Sequence, residues 1–598
     1  MKKSKKIWLT VLAVCAAVGV AGCCWAAFSH DAYAATARRY IKQAAAFVTV
    51  RTRRAEKAGL PDGCTVTNYV DGEEAAKMSL HSWQDSKRVY RGPGVTRLVN
   101  FAAGYQLDLP EGTAFDFSLS PVLVTAEGDG FSAVITRERS PYIGLDATLT
   151  AQLAELQPGR TFADGTEQYI AYYQNRFLLS PGWQAANRVT VTEQTPADGV
   201  QWLTAAADEP GELTWDTRSY LYIRGEGNSY YRVLFRYDSG DAAAIEPAVR
   251  RAAESFCGFA AYGTEKFTAS YAPVLPDDWN AETVAFYNDV VSSDGVRWGV
   301  FVPDVFNEGT DVTVPALEEK LGYEFAVILG YQHMNEEPGA AFLQKNHGNG
   351  KITEYTYQIT TSNNLDLFGR SPLLDTARGE HDAEIRALAR AMADFGHPVL
   401  FRLCNEMNSD WTSYGGIINL EDPDIYRDVW RRFRRLFAEE GATNVIWIFN
   451  PNDNNYPPSN WNSYLAYYPG DGEVQMIGVT GYNTGTYYKD LWSEQWREFR
   501  DIYDAVESAY APFFGGFPWI ITEFASSSIG GDKAAWVQDM FAALPDYENI
   551  KIAVWFSSAD YDPREGHEGE ISRPYFMDDL PEVVEEFRKG LAGAPGGW

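Results

Sequence analysis

The sequence predicts an α/β fold: a (β/α)8 TIM barrel over residues 280–598, preceded by a smaller α+β domain and an N-terminal membrane-targeting segment. Three observations predict it. From about Asn280 onward, apolar β-type runs alternate with amphipathic helical stretches, the pattern of a parallel sheet with crossover helices. The runs number eight, and no Gly-rich phosphate loop follows the first, which favours a closed barrel over an open doubly wound sheet. Two of the runs end in a glutamate, as barrel strands do when they present an acid at their C-terminal rim.

The candidate strands are Arg297–Val302, Phe325–Tyr331, Thr353–Thr360, Val399–Cys404, Asn444–Phe449, Gln475–Thr480, Trp519–Thr522 and Lys551–Phe556. The spacing predicts helices between them. Asp382–Phe395 carries Ile385, Leu388, Met392 and Phe395 on one face and stops at Gly396. Asp424–Glu440 carries Ile425, Val429, Phe433, Leu436 and Phe437, with Asp422-Pro423 at its start and Gly441 at its end.

Upstream, residues 58–261 read as an accessory α+β domain. Hairpins are expected over Ser120–Thr136, Val189–Ala207 and Ser219–Tyr237, with helices over Gly144–Leu156, Thr166–Leu179 and Ala242–Phe256. No catalytic constellation appears there, and a spacer is the simpler reading beside a binding domain. Residues 262–279, with Pro273 and Pro276, read as a linker.

Residues 1–57 read as a targeting segment and a basic stalk. Met1–Lys6 is basic and Ile7–Phe28 carries no charge, as in a secretory signal. Val20-Ala21-Gly22-Cys23 resembles a bacterial lipobox; the alternative is an uncleaved signal-anchor. Arg38, Arg39, Lys42, Arg51, Arg53, Arg54 and Lys57 follow the apolar segment, against the positive-inside tendency of an anchor, which tilts the reading toward a lipoprotein. Either way the body is expected on the extracellular side of the membrane, tethered to it or secreted. Net charge is −30, and residues 58–598 are more acidic still. That argues against nucleic acid and polyanionic substrates by repulsion, but not against a neutral polymer. Cys64 and Cys257 either pair or remain separate thiols, Cys404 reads as a small core residue, and no Cys/His cluster has metal-ligand spacing.

The chemistry gathers in His397–Gly416, HPVLFRLCNEMNSDWTSYGG, and in Phe517–Glu523, FPWIITE. Two carboxylates on two barrel strands suit glycoside hydrolysis, which needs a proton donor and a second carboxylate. Glu406 is the candidate acid/base and Glu523 the candidate nucleophile. Asn405 is placed to bond the sugar 2-hydroxyl, Arg402 to keep a carboxylate ionised, and Tyr482 to hold Glu523 through its hydroxyl. Trp555 is the candidate floor under a sugar ring, with Trp411, Tyr414 and Trp461 as outer platforms. Each alone also reads as a core or surface residue.

Taken together, FRLCNEMNSDWTSYGG, YRDVWRRFRRLFAEEGATNVIWIFNPN, YYPGDGEVQMIGVTGYN, WIITEF and IKIAVWF resemble glycoside hydrolase family 26 over about residues 280–590. The resemblance implies a retaining β-glycanase acting on a neutral β-linked polysaccharide, most often endo-β-1,4-mannan, without metal or organic cofactor. It departs from the family where Asn405 stands for the usual His, where Thr480 stands for an Asp two residues before Tyr482, and where the third strand lacks its His. A β-glucanase or β-xylanase, or a surface glycan-binding protein without catalysis, are the alternatives.

Overall fold

The computed structural model describes residues 56–79, 82, 86–261, 265–360 and 366–596. The expected targeting segment, nearly all of the basic stalk, and Cys15, Cys23 and Cys24 lie outside the described residues. Among the described residues no helix is long and apolar enough to cross a membrane.

The second half closes into a barrel of eight parallel strands: β1 (Arg297–Phe301), β2 (Val327–His333), β3 (Ile352–Gln358), β4 (Val399–Leu403), β5 (Val445–Phe449), β6 (Met476–Thr480), β7 (Trp519–Phe524) and β8 (Ile550–Phe556). Strands covered on both faces need apolar residues at nearly every position, and β4 and β5 are buried throughout. Alternate residues divide between two cores. Leu329, Leu400, Ile448, Met476, Ile520 and Val554 fill the barrel, while Phe401, Trp447, Phe449 and Trp555 join the layer beneath the helices. The expected helix after β4 spans Pro423–Glu439, with Asp422 accepting from the Asp424 amide as N-cap.

Residues 56–258 form two antiparallel sheets. A six-stranded one includes Thr65–Val70 and Ser86–Gly92, and a seven-stranded one runs from Ala114–Asp116 to Val189–Ala197. The helix Ala242–Ser255 shares the core between them. The expected hairpins around Gly128–Gly130 and Gly225–Asn228 are present. Cys64 and Cys257 are free and half-buried.

The seven-stranded sheet differs from a spacer because both its faces are covered. On Thr217–Arg224 and Ser229–Tyr237, Leu221, Ile223, Val233 and Phe235 face the core of their own region. The intervening Tyr220, Tyr222, Tyr230 and Leu234 belong to the core shared with the barrel. On that same face Arg218 and Arg236 pair with Asp422, both ends buried, at 2.7 and 2.6 Å. Burial alone would raise the Asp422 carboxyl; Arg236 and Arg218 more than offset this and hold it well below the usual range. The stretch 265–279 also packs on the barrel, through the Tyr271 amide to Phe513 O at 2.8 Å and the Trp279 indole to Val445 O at 3.0 Å.

Candidate active site

The site is assembled at the C-terminal ends of β3 to β8. Below it lies a buried polar network that replaces the apolar fill of the barrel. Arg402 on β4 is fully buried. Its Nε donates to Thr356 Oγ1 at 2.7 Å, one terminal nitrogen to Asn450 Oδ1 at 3.0 Å and the other to Glu523 Oε2 at 3.2 Å. Nε also lies 3.4 Å from Glu354 Oε1, a second carboxylate inside the barrel. Asn450 extends the network to Thr522 and Thr480. Arg402 is sealed too deep to touch a glycan; it pairs with Glu523 from beneath, in line with the carboxylate-holding role read for it in the sequence.

Glu523 owes its place to an irregularity. With Ile520 inside the barrel, strict alternation sends Thr522 inward and Glu523 out among the helices. Register breaks in the pairing of β7 with β6 and β8 set Glu523 beside Thr480 and turn Phe524 outward against Trp555, ring centroids 5.2 Å apart. Glu523 is 6% exposed, at the rim rather than sealed. Burial, then the field of Asp560, pushes its pKa up to about 8. The Arg402 contact works the other way.

Glu406 sits in the turn after β4 with a left-handed backbone (φ 60°), two residues after Cys404 in the same region (φ 50°). Such backbone costs about 1–3 kcal/mol per residue and persists only where surroundings enforce it. Here the Glu406 amide donates to Asn450 O at 2.8 Å, and Ser409 Oγ donates to Glu406 O at 2.6 Å. Glu406 Oε1 accepts from Asn452 Nδ2 at 2.8 Å. Burial raises the carboxyl, while the Asn452 hydrogen bond and the Arg402 charge pull it back. One arginine thus acts on both glutamates.

Asn405 Oδ1 is occupied by Gln358 Nε2 at 2.9 Å and the Tyr414 hydroxyl at 3.1 Å, and among the described residues nothing claims its Nδ2 hydrogens. Gln358 stands at the end of β3, where sequence reasoning found no functional residue. Tyr482 lies in the mouth with its ring against Tyr575 and Phe556. Its hydroxyl makes no hydrogen bond to Glu523 among the described residues, and burial, with Tyr575 and Glu406 nearby, pushes it up.

Three aromatic residues are corrected. Trp555 faces outward from β8, is fully buried between Phe524, Trp536 and Phe587, and donates to Tyr575 O at 2.7 Å. It cannot floor a sugar site. The inward-facing neighbour Phe556 stacks on Phe301 at 4.7 Å in the mouth. Tyr414 and Trp461 are buried too. Trp411 is the exposed one, at 43%, beside the equally open Tyr456, ring centroids 5.1 Å apart. Two groups with metal-ligand chemistry lie elsewhere. In Glu282, His347 and His397 the two imidazoles stack face to face at 3.6 Å, so their lone pairs run parallel instead of converging. In Asp562, His567 and Glu570 the aspartate is committed to Arg564.

Residues 378–522 match the sequence model of Glycosyl hydrolase family 26. The matched stretch runs from the helix before β4 into β7 and includes Glu406. Endoglucanase H of Acetivibrio thermocellus is 33% identical over 215 residues, 35% of this chain and 22% of that protein. A mannan endo-1,4-beta-mannosidase of Bacillus subtilis is 29% identical over 98 residues, 15% of this chain and 25% of that protein. The chain thus spans about a quarter or less of these relatives. Among solved structures, a Cellulomonas fimi endo-beta-1,4-mannanase double mutant aligns at TM-score 0.39 and 19% identity, over 54% of this chain and 77% of that one. A family 26 beta-mannanase from Bacteroides ovatus aligns at TM-score 0.39 and 15% identity, over 52% and 94%.

Proposed function

We propose that the family 26 barrel hydrolyses a neutral β-linked polysaccharide with retention of configuration, endo-β-1,4-mannan being the first substrate to test. The observation that supports this is the position of two glutamates on one closed barrel: Glu523 ends β7 on the buried Arg402, and Glu406 stands in the turn after β4. Both strands end at the same rim, which supports pairing the two carboxyl groups across one sugar.

In the first step Glu523 Oε attacks the anomeric carbon while Glu406 gives its proton to the glycosidic oxygen. The C–O bond to the leaving sugar breaks and a glycosyl ester forms. In the second, Glu406 takes a proton from water, the hydroxide adds to the anomeric carbon, and Glu523 departs as carboxylate. Arg402 stabilises Glu523 while it is charged. Asn405 Nδ2 is free to hold the 2-hydroxyl, a contact that strengthens in the transition state. None of these steps calls for a cofactor.

A second reading, a mixed-linked β-glucan substrate, is favoured by the longer and closer match to an endoglucanase and by Asn405 in place of the family's usual His. The N-terminal segment is proposed to hold this body outside the cell at the membrane. Digestion of mannan, β-glucan and xylan, with release of reducing ends followed for wild type, Glu406→Ala and Glu523→Ala, tests the reading. Loss in both variants is expected; unchanged turnover in either refutes it.

A further inference from the structure

The two loops that shape the Glu406 side of the mouth are held from outside the barrel. The loop after β4 carries Glu406 and Trp411; the loop after β5 carries Asn452 and Tyr456. They are laced together by Asn408, whose Oδ1 accepts from the Asn452 amide at 2.8 Å and whose carbonyl accepts from the Tyr456 amide at 2.8 Å. Residues Asp453–Tyr456 and Pro458–Asn460 line a polar cleft of about 350 Å³ beside this pair.

The N-terminal region grips both loops. Buried Glu138, on the strand Phe131–Arg139, accepts from the backbone amides of Asn460 at 2.8 Å and Trp461 at 3.0 Å. Gln174 Nε2 donates to Ser459 Oγ at 3.0 Å, and its Oε1 accepts from the Trp461 indole. Arg176 reaches Asp410, the neighbour of Trp411, at 3.0 Å. At the far end of the β4 loop, Leu420 and Glu421 have left-handed backbone (φ 61° and 48°), and their carbonyls accept from the Tyr220 hydroxyl and from Arg232. A strained loop ending on another region's side chains is a loop that region shapes.

We propose that Glu138 and Arg176 are positioning residues for the glycosidase, setting the wall of the cleft on which the departing part of the glycan chain rests. This depends on the reading of Glu406 as the acid: the group receiving its proton lies on its side of the mouth. Recognition of a polymer then requires the N-terminal region. Cleavage of a glycoside with a good aryl leaving group does not, because no sugar occupies that wall and little protonation is needed.

The experiment uses the full chain with Glu138→Gln, Arg176→Ala and Arg176→Lys. Each is assayed on the best-cut polysaccharide and on the 2,4-dinitrophenyl β-glycoside of the matching disaccharide. A misplacement of about 1 Å costs up to about 100-fold, so kcat/KM on the polymer falls about 10- to 100-fold in Glu138→Gln and Arg176→Ala. On the aryl glycoside it stays within about twofold, and Arg176→Lys recovers part of the polymer activity. Parallel losses on both substrates, or none on the polymer, overturn the proposal. Amide hydrogen exchange decides the clamp without reference to hydrolysis. Exchange should quicken over 404–422 and 450–463 in Glu138→Gln and Arg176→Ala while β2 is unchanged; unaltered loops overturn it. If wild type cuts no glycan, the hydrolase reading fails, whatever the exchange shows.

Discussion

Glu523 ends β7 and Glu406 follows β4, at the same rim of the barrel, yet different parts of the molecule hold them. Glu523 rests on the barrel's own interior, on Arg402, with Thr356, Asn450 and Thr522 in the same network. Glu406 stands on a strained turn in a loop whose far side is fastened to a separate β-sheet. The difference teaches that a barrel can supply one carboxylate from strand geometry alone, while the other depends on structure added outside it.

The contrast breaks first if the two carboxyls prove interchangeable. Glu523→Ala is expected to lose about 10⁴-fold or more in kcat, and Glu406→Ala about 10²–10⁴-fold, less with an aryl leaving group. With azide added, Glu523→Ala should give a glycosyl azide of inverted configuration and Glu406→Ala one of retained configuration. The same anomer from both, by NMR, removes the distinction.

Next comes the seam between the regions. Asp422→Asn leaves Arg218 and Arg236 without their buried partner and should cost about 3–5 kcal/mol in urea unfolding at pH 7. The carboxyl titrates lower folded than unfolded. Its contribution is therefore complete above the unfolded value of about 3.9 and fades as pH falls toward the folded one. The gap between wild type and variant should shrink below that pH; a constant gap would show that the ion pairs do not join the regions.

A smaller effect sharpens the contrast at Glu523. As the proposed nucleophile Glu523 must be ionised, and its pKa is raised, so the acidic limb of kcat/KM should lie above the ordinary glutamate value of about 4.3. Arg402→Gln removes the neighbouring cation and should move that limb up by about one unit or more. A limb that stays in place would mean that Arg402 does not serve Glu523. The smallest effect separates two tryptophans. Trp411→Ala should raise KM for polymer a few-fold, whereas Trp555→Phe should leave KM alone and cost about 1 kcal/mol of stability through the lost bond to Tyr575.

The barrel was legible because parallel strands covered on both sides favour apolar runs, and most of the eight read that way; β3, ITEYTYQ, instead turns Glu354 and Thr356 into the polar network around Arg402. The paired glutamates were legible as the ends of two such runs. Trp555 was misplaced because being next to the strand end says nothing about which face a residue takes; Ile552 and Val554 fill the barrel, so Trp555 points away. The bulge that rescues Glu523 leaves no local signal, since Ile521-Thr522-Glu523 reads as ordinary strand. The docking face of the N-terminal sheet did leave one. Arg218, Tyr220, Tyr222 and then Arg232, Leu234, Arg236 alternate with apolar residues, but arginines in a strand ordinarily mean water, and their buried partners lie about 200 positions away.

Asp422 closes the first turn of the helix that follows β4 and pairs with two arginines of the other region through the same carboxylate. Recombination that traded this barrel for a relative's as a ready-made cassette would sever both connections at once. In this lineage the two halves are expected to be inherited together, and a chimera to work only where the acidic knot around Asp422 travels with its basic counterparts.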